Sequence, residues 1–139
     1  MPASQGATMT ARSQPHCVLL VEDEPLVRMF ATDALEDAGF RVEQASNGTE
    51  ALHALQMLEH QLSAVVIDVG LPDRPGDEIA AEMRAKLALL PILIASGRSE
   101  KELRARFAVD SRVVIMPKPY TGPMLIATLG ELGVAAGQA

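Results

Sequence analysis

Four short apolar runs and one alternating segment, Phe40 to Ala45, punctuate the chain, and each is followed by a stretch whose apolar residues recur every three or four positions. Val18-Leu19-Leu20-Val21 is continuous, and Glu22-Asp23-Glu24-Pro25 ends it. That pattern predicts a buried parallel strand. Leu26, Val27, Phe30, Ala31, Ala34, Leu35 and Ala38 follow at helical spacing, with Pro25 at the start and Gly39 as the stop. Phe40 to Ala45 reads as a second strand. Asn47 then offers an N-cap, Glu50 lies three residues later, and Ala51, Ala54, Leu55 and Leu58 form the inward face of a helix.

The alternation continues. Ala64 to Ile67 is a third strand ending at Asp68, and Leu71 to Gly76 is a loop rich in chain breakers. Asp77 to about Lys86 is a helix with Ile79 and Met83 inward. Pro91 to Ala95 is a fourth strand, and Ser99 to Phe107 a helix opened by a Ser99/Glu102 capping box. Val113 to Met116 is a fifth strand, and Thr121 to about Leu132 a last helix with Leu125, Leu129 and Leu132 inward. Strand–helix alternation of this kind predicts an α/β fold, a doubly wound five-stranded parallel sheet with helices on both faces.

The length of 139 residues suits one domain. The sequence divides into an N-terminal tail over 1–16 with little to bury, a folded domain over 17–134 and a short C-terminal tail over 135–139. No second output domain and no helix-turn-helix after Leu132 is expected. The net charge is −6, aromatic residues are 3% and Trp is absent, which disfavours a basic nucleic-acid face and a base-stacking platform. Cys17 is the only cysteine, so no internal disulfide forms. No apolar run approaches the roughly 18 residues of a membrane span, and the N-terminus lacks the apolar core of a secretory signal. A cytoplasmic protein with no membrane and no nucleic-acid partner is expected.

In doubly wound sheets ligands bind beyond the carboxyl ends of the strands. Glu22 and Asp23 follow the first strand, Asp68 the third, Ser96 the fourth and Lys118 the fifth. Any one of these reads most simply as a solvated loop residue. Together at one edge they form a cluster of chemistry. Crowded carboxylates raise one another's pKa unless a cation joins them. Mg²⁺ suits an all-oxygen set of this kind, whereas Cys17, His16, His53 and His60 show no zinc spacing. Asp68, after the most apolar strand, is the candidate nucleophile towards phosphorus, with Lys118 and the Ser96 hydroxyl placed for phosphoryl oxygens.

With these residues in place, the sequence from about Val18 to Leu132 resembles the response-regulator receiver domains of bacterial two-component signalling. Val21-Glu22-Asp23-Glu24 matches the family's acidic pair, and Asp68 the phosphoacceptor. Pro72 and Gly76 match the following loop, Ser96-Gly97 the switch hydroxyl and its small neighbour, and Lys118-Pro119-Tyr120 the Lys-Pro-aromatic run, whose Lys–Pro bond is usually cis in the family. The resemblance implies a flavodoxin-like (βα)5 receiver, here a stand-alone one. It implies a phosphoryl group passed to Asp68 from a sensor histidine kinase or a histidine phosphotransfer protein. It implies Mg²⁺ held by Asp23, Asp68 and the Gly70 carbonyl, with Glu22 acting through water. Ser96 then approaches the phosphoryl group, Lys118 neutralises it, and a downstream protein target or a second copy of the chain reads the changed surface. The chain is expected to be a phosphoacceptor, not an enzyme acting on other substrates.

Two departures stand out. The position three before Lys118, often aromatic in the family, is Ile115, and Pro117 precedes the lysine. A haloacid-dehalogenase-like phosphatase shares the nucleophilic Asp, the hydroxyl and the Lys, but needs a second acid where this chain has Gly70. A phosphorylation-independent adaptor would leave the acidic cluster idle. On the first helix, Leu26, Met29 and Asp33 are the candidate contacts for the phosphodonor, with Leu26 and Met29 equally readable as peripheral core. The Met residues read as core fillers. Arg98, Lys101, Arg104 and Arg106 read as a solvated face of the fourth helix.

Overall fold

A computed structural model describes residues 16–97 and 100–135. The elements are β1 (Cys17–Val21), α1 (Pro25–Asp37), β2 (Arg41–Ala45), α2 (Gly48–Leu58), β3 (Leu62–Asp68), α3 (Gly76–Lys86), β4 (Ile92–Ser96), α4 (Glu100–Arg106), β5 (Val113–Pro117) and α5 (Gly122–Glu131). The strands form one parallel sheet in the order β2-β1-β3-β4-β5. The chain order reverses between β1 and β3, so the acidic ends of those strands lie at the switch point of the sheet.

Side chains alternate between the two faces of each strand. Val18, Leu20, Ala64, Val66, Leu93, Ala95 and Met116 pack with Ala31 and Leu35 of α1 and Leu125 and Leu129 of α5. Leu19, Val21, Val65, Ile67, Ile92, Ile94 and Ile115 pack on the other face with α2, α3 and α4 through Leu55, Ile79, Met83 and Leu103. Burial on both faces is why the three central strands read as continuous apolar runs.

Helix ends follow local chemistry. The Asn47 side chain accepts the Glu50 amide at 2.8 Å, and Thr121 accepts the Met124 amide at 3.2 Å. Glu50 does not close a reciprocal box on Asn47. Its carboxylate accepts instead from the Ser46 amide and hydroxyl, at 2.8 and 2.9 Å. The predicted Ser99/Glu102 box falls on Ser99, outside the described residues.

Several sequence expectations are corrected by burial. Leu26 is 75% exposed and Phe30 46%, and Val27 is half-buried, so full burial of the apolar stripe of α1 begins only at Ala31. Ala54, Leu58 and Leu132 are half-buried at the margins of the core. Met83 and Met116 fill the core, but Met29, Met57 and Met124 are exposed. Phe40 is buried just ahead of β2. On α4, Arg106 pairs with Asp77 of α3, and Arg104 reaches Glu100 and the Ile115 carbonyl. Those two arginines are therefore ties to neighbouring elements as well as a solvated face, while Lys101 is exposed and Arg98 lies outside the described residues. Among the described residues no helix is long and apolar enough to cross a membrane.

Candidate functional site

Register brings the site together. Val21 pairs with Ile67, so Glu22 and Asp68 each stand one step beyond a matched pair. Glu22 continues the row of Val18 and Leu20, and Asp68 the row of Ala64 and Val66. Lys118 lies two residues past Met116, on the same face. Ala95 pairs with Asp68, and Ser96 follows Ala95 at the end of β4. The Lys118 amide donates to the Ser96 carbonyl at 2.9 Å, which ties the last turn of β5 to the end of β4. The Lys118–Pro119 peptide is cis, as the resemblance leads one to expect.

Oxygens of Glu22, Asp23 and Asp68 lie within 4.8 Å of one another. Glu22 is 2% exposed and Asp68 7%, while Asp23 is half-buried. Lys118 Nζ lies 3.3 Å from Asp68 Oδ1 and 3.6 Å from Glu22 Oε1. Ser96 is buried beside them at the end of its strand. A Cβ built on Gly70 would lie 3.7 Å from Asp68 Oδ2, so this glycine borders the carboxylate. Every sequence-predicted site residue therefore stands at the same edge of the sheet. The carboxylate set, hard and oxygen-only, is of the type Mg²⁺ selects over softer metals.

The electrostatics are asymmetric. Burial pushes the Glu22 carboxyl above its ordinary pKa. The Glu24 amide, donating at 3.1 Å, opposes that, the Asp68 and Asp23 charges add to it, and Lys118 counters it. Crowding thus contributes as expected, but desolvation is the larger cause. Burial works against the Lys118 charge, yet the Asp68 and Glu22 carboxylates outweigh it and raise the lysine. Tyr120, buried beside the same acids, is pushed up to about 12, first by burial and then by Glu22 and Asp68.

Two supports were not visible in the sequence. Arg28 of α1 donates through Nη1 to the Glu22 carbonyl at 2.9 Å and through Nε to Gln44 Oε1 at 3.2 Å, holding the acidic loop against β2. Asp73, read only as part of a breaker-rich loop, binds the start of α2. An Asp in such a loop signals a search for backbone N–H groups, but its partners lie 24 and 25 residues away. Beside the site, Leu26, Val27, Phe30, Lys118, Pro119 and Tyr120 line an open apolar groove of about 280 Å³. Leu26 and Met29 are 75% and 55% exposed, which resolves their position in favour of surface.

Comparison with known proteins agrees with this geometry. The profile of the response regulator receiver domain family matches residues 18–129. The chain is 33% identical over 115 residues to the sensor kinase CckA of Brucella abortus, covering 83% of this chain and 12% of that protein. It is 31% identical over 122 residues to the transcriptional regulatory protein PdtaR of Mycobacterium tuberculosis, covering 87% of this chain and 58% of PdtaR. The chain therefore spans only part of the length of these relatives. Among solved structures, the chemotaxis protein CheY4 of Vibrio cholerae superimposes with a TM-score of 0.77 at 27% identity, over 85% of this chain and 98% of CheY4. With its doubly wound sheet and the acidic edge of that sheet, the chain belongs to the response regulator receiver domain family of two-component signalling.

Proposed function

We propose that residues 17–134 act as a cytoplasmic receiver that accepts a phosphoryl group on Asp68. One observation carries this reading: three carboxylates share one edge of the sheet, and Asp68, at the end of the central strand, has Lys118 Nζ at 3.3 Å. The donor is a phosphohistidine on a sensor histidine kinase or a histidine phosphotransfer protein. An Asp68 oxygen attacks phosphorus, an O–P bond forms, the N–P bond breaks, and the imidazole keeps the electron pair. Asp23, Asp68 and the Gly70 carbonyl would hold Mg²⁺, with Glu22 contributing through water. When bound, the ion supplies positive charge to the phosphoryl oxygens. Lys118 neutralises one phosphoryl oxygen, and the Ser96 hydroxyl donates to another.

The groove lined by Leu26, Phe30 and Tyr120 opens beside Lys118, and its exposed apolar rim supports docking of the phosphodonor there. Output passes to a protein partner, a second copy included, without nucleic-acid contact by this domain. The experiment is incubation with acetyl phosphate in Mg²⁺ or in chelator, followed by intact-mass measurement. One added phosphoryl group in Mg²⁺ and none in chelator is expected. No gain in Mg²⁺ overturns the proposal.

A further inference from the structure

The loop between β3 and α3 is closed at its base and tethered at its far end. At the base, the Val69 amide donates to the Ala95 carbonyl at 3.1 Å. The Val69 carbonyl in turn accepts from the amides of Leu71 at 3.0 Å and Gly76 at 2.8 Å. The fit at Gly76 is close: a Cβ there would lie 2.0 Å from the Asp68 carbonyl oxygen. The far end is held from outside the loop. Asp73 Oδ1 accepts the Gly48 amide at 2.8 Å, and Oδ2 accepts the Thr49 amide at 3.0 Å and the Thr49 hydroxyl at 3.1 Å. Oδ1 also takes the Arg74 amide at 3.0 Å, which orients the carboxylate.

These bonds join the first turn of α2 to the loop. The amides of Gly48 and Thr49 are among the donors that a helix start leaves without intrahelical partners, and a negative charge there is favoured. Asn47 already takes the Glu50 amide, so the two side chains divide the turn between them. The seam is tight, because a Cβ on Gly48 would meet Ile79 Cδ1 at 2.8 Å and Asp73 Oδ1 at 3.3 Å. Gly70 lies between the anchor at Val69 and the tether at Asp73. It is exposed and has no side chain of its own to pack. Its backbone position is therefore decided by those two fixings.

We infer that Asp73 is a positioning residue: by pinning the loop to the start of α2, it holds the Gly70 carbonyl where a metal ligand beside Asp68 is needed. The inference rests on the proposed role of Asp68 and Gly70 in holding Mg²⁺. Groups that orient direct ligands without touching the ion typically change metal affinity when removed, and a loop released at one end has more arrangements to lose on binding.

The test is calorimetric Mg²⁺ titration of the full chain as wild type, Asp73→Ala and Asp73→Asn, with thermal melting and the Gly70 amide NMR signal recorded alongside. Wild type is expected to bind. Asp73→Ala is expected to bind about tenfold more weakly and to shift or broaden the Gly70 signal before any metal is added. Asp73→Asn keeps one acceptor oxygen and is expected to fall between them, which keeps the test decisive if the alanine variant does not fold. Unchanged Mg²⁺ affinity and an unchanged Gly70 signal in a folded variant, with only the melting temperature lowered, would reduce Asp73 to a helix cap and overturn the inference. Failure of wild type itself to bind Mg²⁺ would instead overturn the metal-site reading, and the role of Asp73 with it.

Discussion

Lys118 Nζ sits 3.3 Å from Asp68 Oδ1 and 3.6 Å from Glu22 Oε1, so one ammonium serves two buried carboxylates. Replacing it with methionine keeps most of the stem and removes the charge. Lys118→Met is expected to destabilise the metal-free protein by about 1–2 kcal/mol at neutral pH, the partial solvent access of the lysine lowering the cost of a fully buried pair. The raised lysine pKa makes its contribution complete below the ordinary lysine value, and lost only as pH climbs through the still higher folded value. Denaturant melts between pH 6 and about 9 should therefore show a constant deficit in the variant.

Removing the Glu22 charge is expected to have the opposite effect on stability. Its carboxyl is raised mainly by burial, so the folded state binds a proton more readily than the unfolded chain does. The stability tied to that proton is complete below the ordinary glutamate pKa and is lost as pH rises through the higher folded value. At neutral pH the ionised Glu22 therefore works against the metal-free fold. Glu22→Gln is expected to raise the melting temperature in chelator and to flatten its dependence on pH just above the ordinary glutamate range. A lower melting temperature for Glu22→Gln at neutral pH would contradict this account of the cluster.

A divalent ion should reverse that relation. Binding to the folded state alone stabilises by about 1.4 kcal/mol at ten times the dissociation constant. Wild type is expected to gain this from Mg²⁺, and Asp23→Asn to gain much less at the same concentration, because a direct ligand and a formal charge are lost. Thermal melts with and without Mg²⁺ measure both.

Signal output is expected to travel through α4. Ile115 is 6% exposed, packs in the core beneath that helix and has no ring to swing between states. The Ile115 carbonyl accepts from Arg104 at 3.4 Å, and Arg106 of the same helix pairs with Asp77. A movement at Ser96 is expected to reach α4 through the adjoining Gly97. Amide exchange with and without beryllofluoride should change protection across residues 100–107. Changes confined to the loops around Asp23, Asp68 and Lys118 would instead identify a receiver that passes phosphoryl groups on with little shape change.

The order of elements, and the gathering of the candidate site residues at one edge, were legible because every strand but β2 is marked by an unbroken apolar run. Where such a run meets Glu22, Asp68 or Lys118, the sheet ends and the candidate site begins. Leu26 and Phe30 show the limit of the same reasoning. Their helical spacing marks an apolar face, but spacing says nothing about whether a neighbour covers it, and here they rim an open groove. Asp73 and Arg28 were illegible for a different reason. Asp73 binds backbone amides 24 and 25 residues away, and Arg28 reaches back to the Glu22 carbonyl and across to the Gln44 side chain; no local pattern encodes which group will lie opposite. Glu50 belongs with them on a smaller scale, since the choice between Ser46 and Asn47 depends on the loop path into α2.

The central claim is that Asp68 itself takes the phosphoryl group, and intact-mass measurement of wild type beside Asp68→Asn tests it most directly. Both proteins are incubated with acetyl phosphate in Mg²⁺, with circular dichroism confirming that the variant is folded. The account predicts one added phosphoryl group on wild type and none on Asp68→Asn; an equal gain on the folded variant would contradict it.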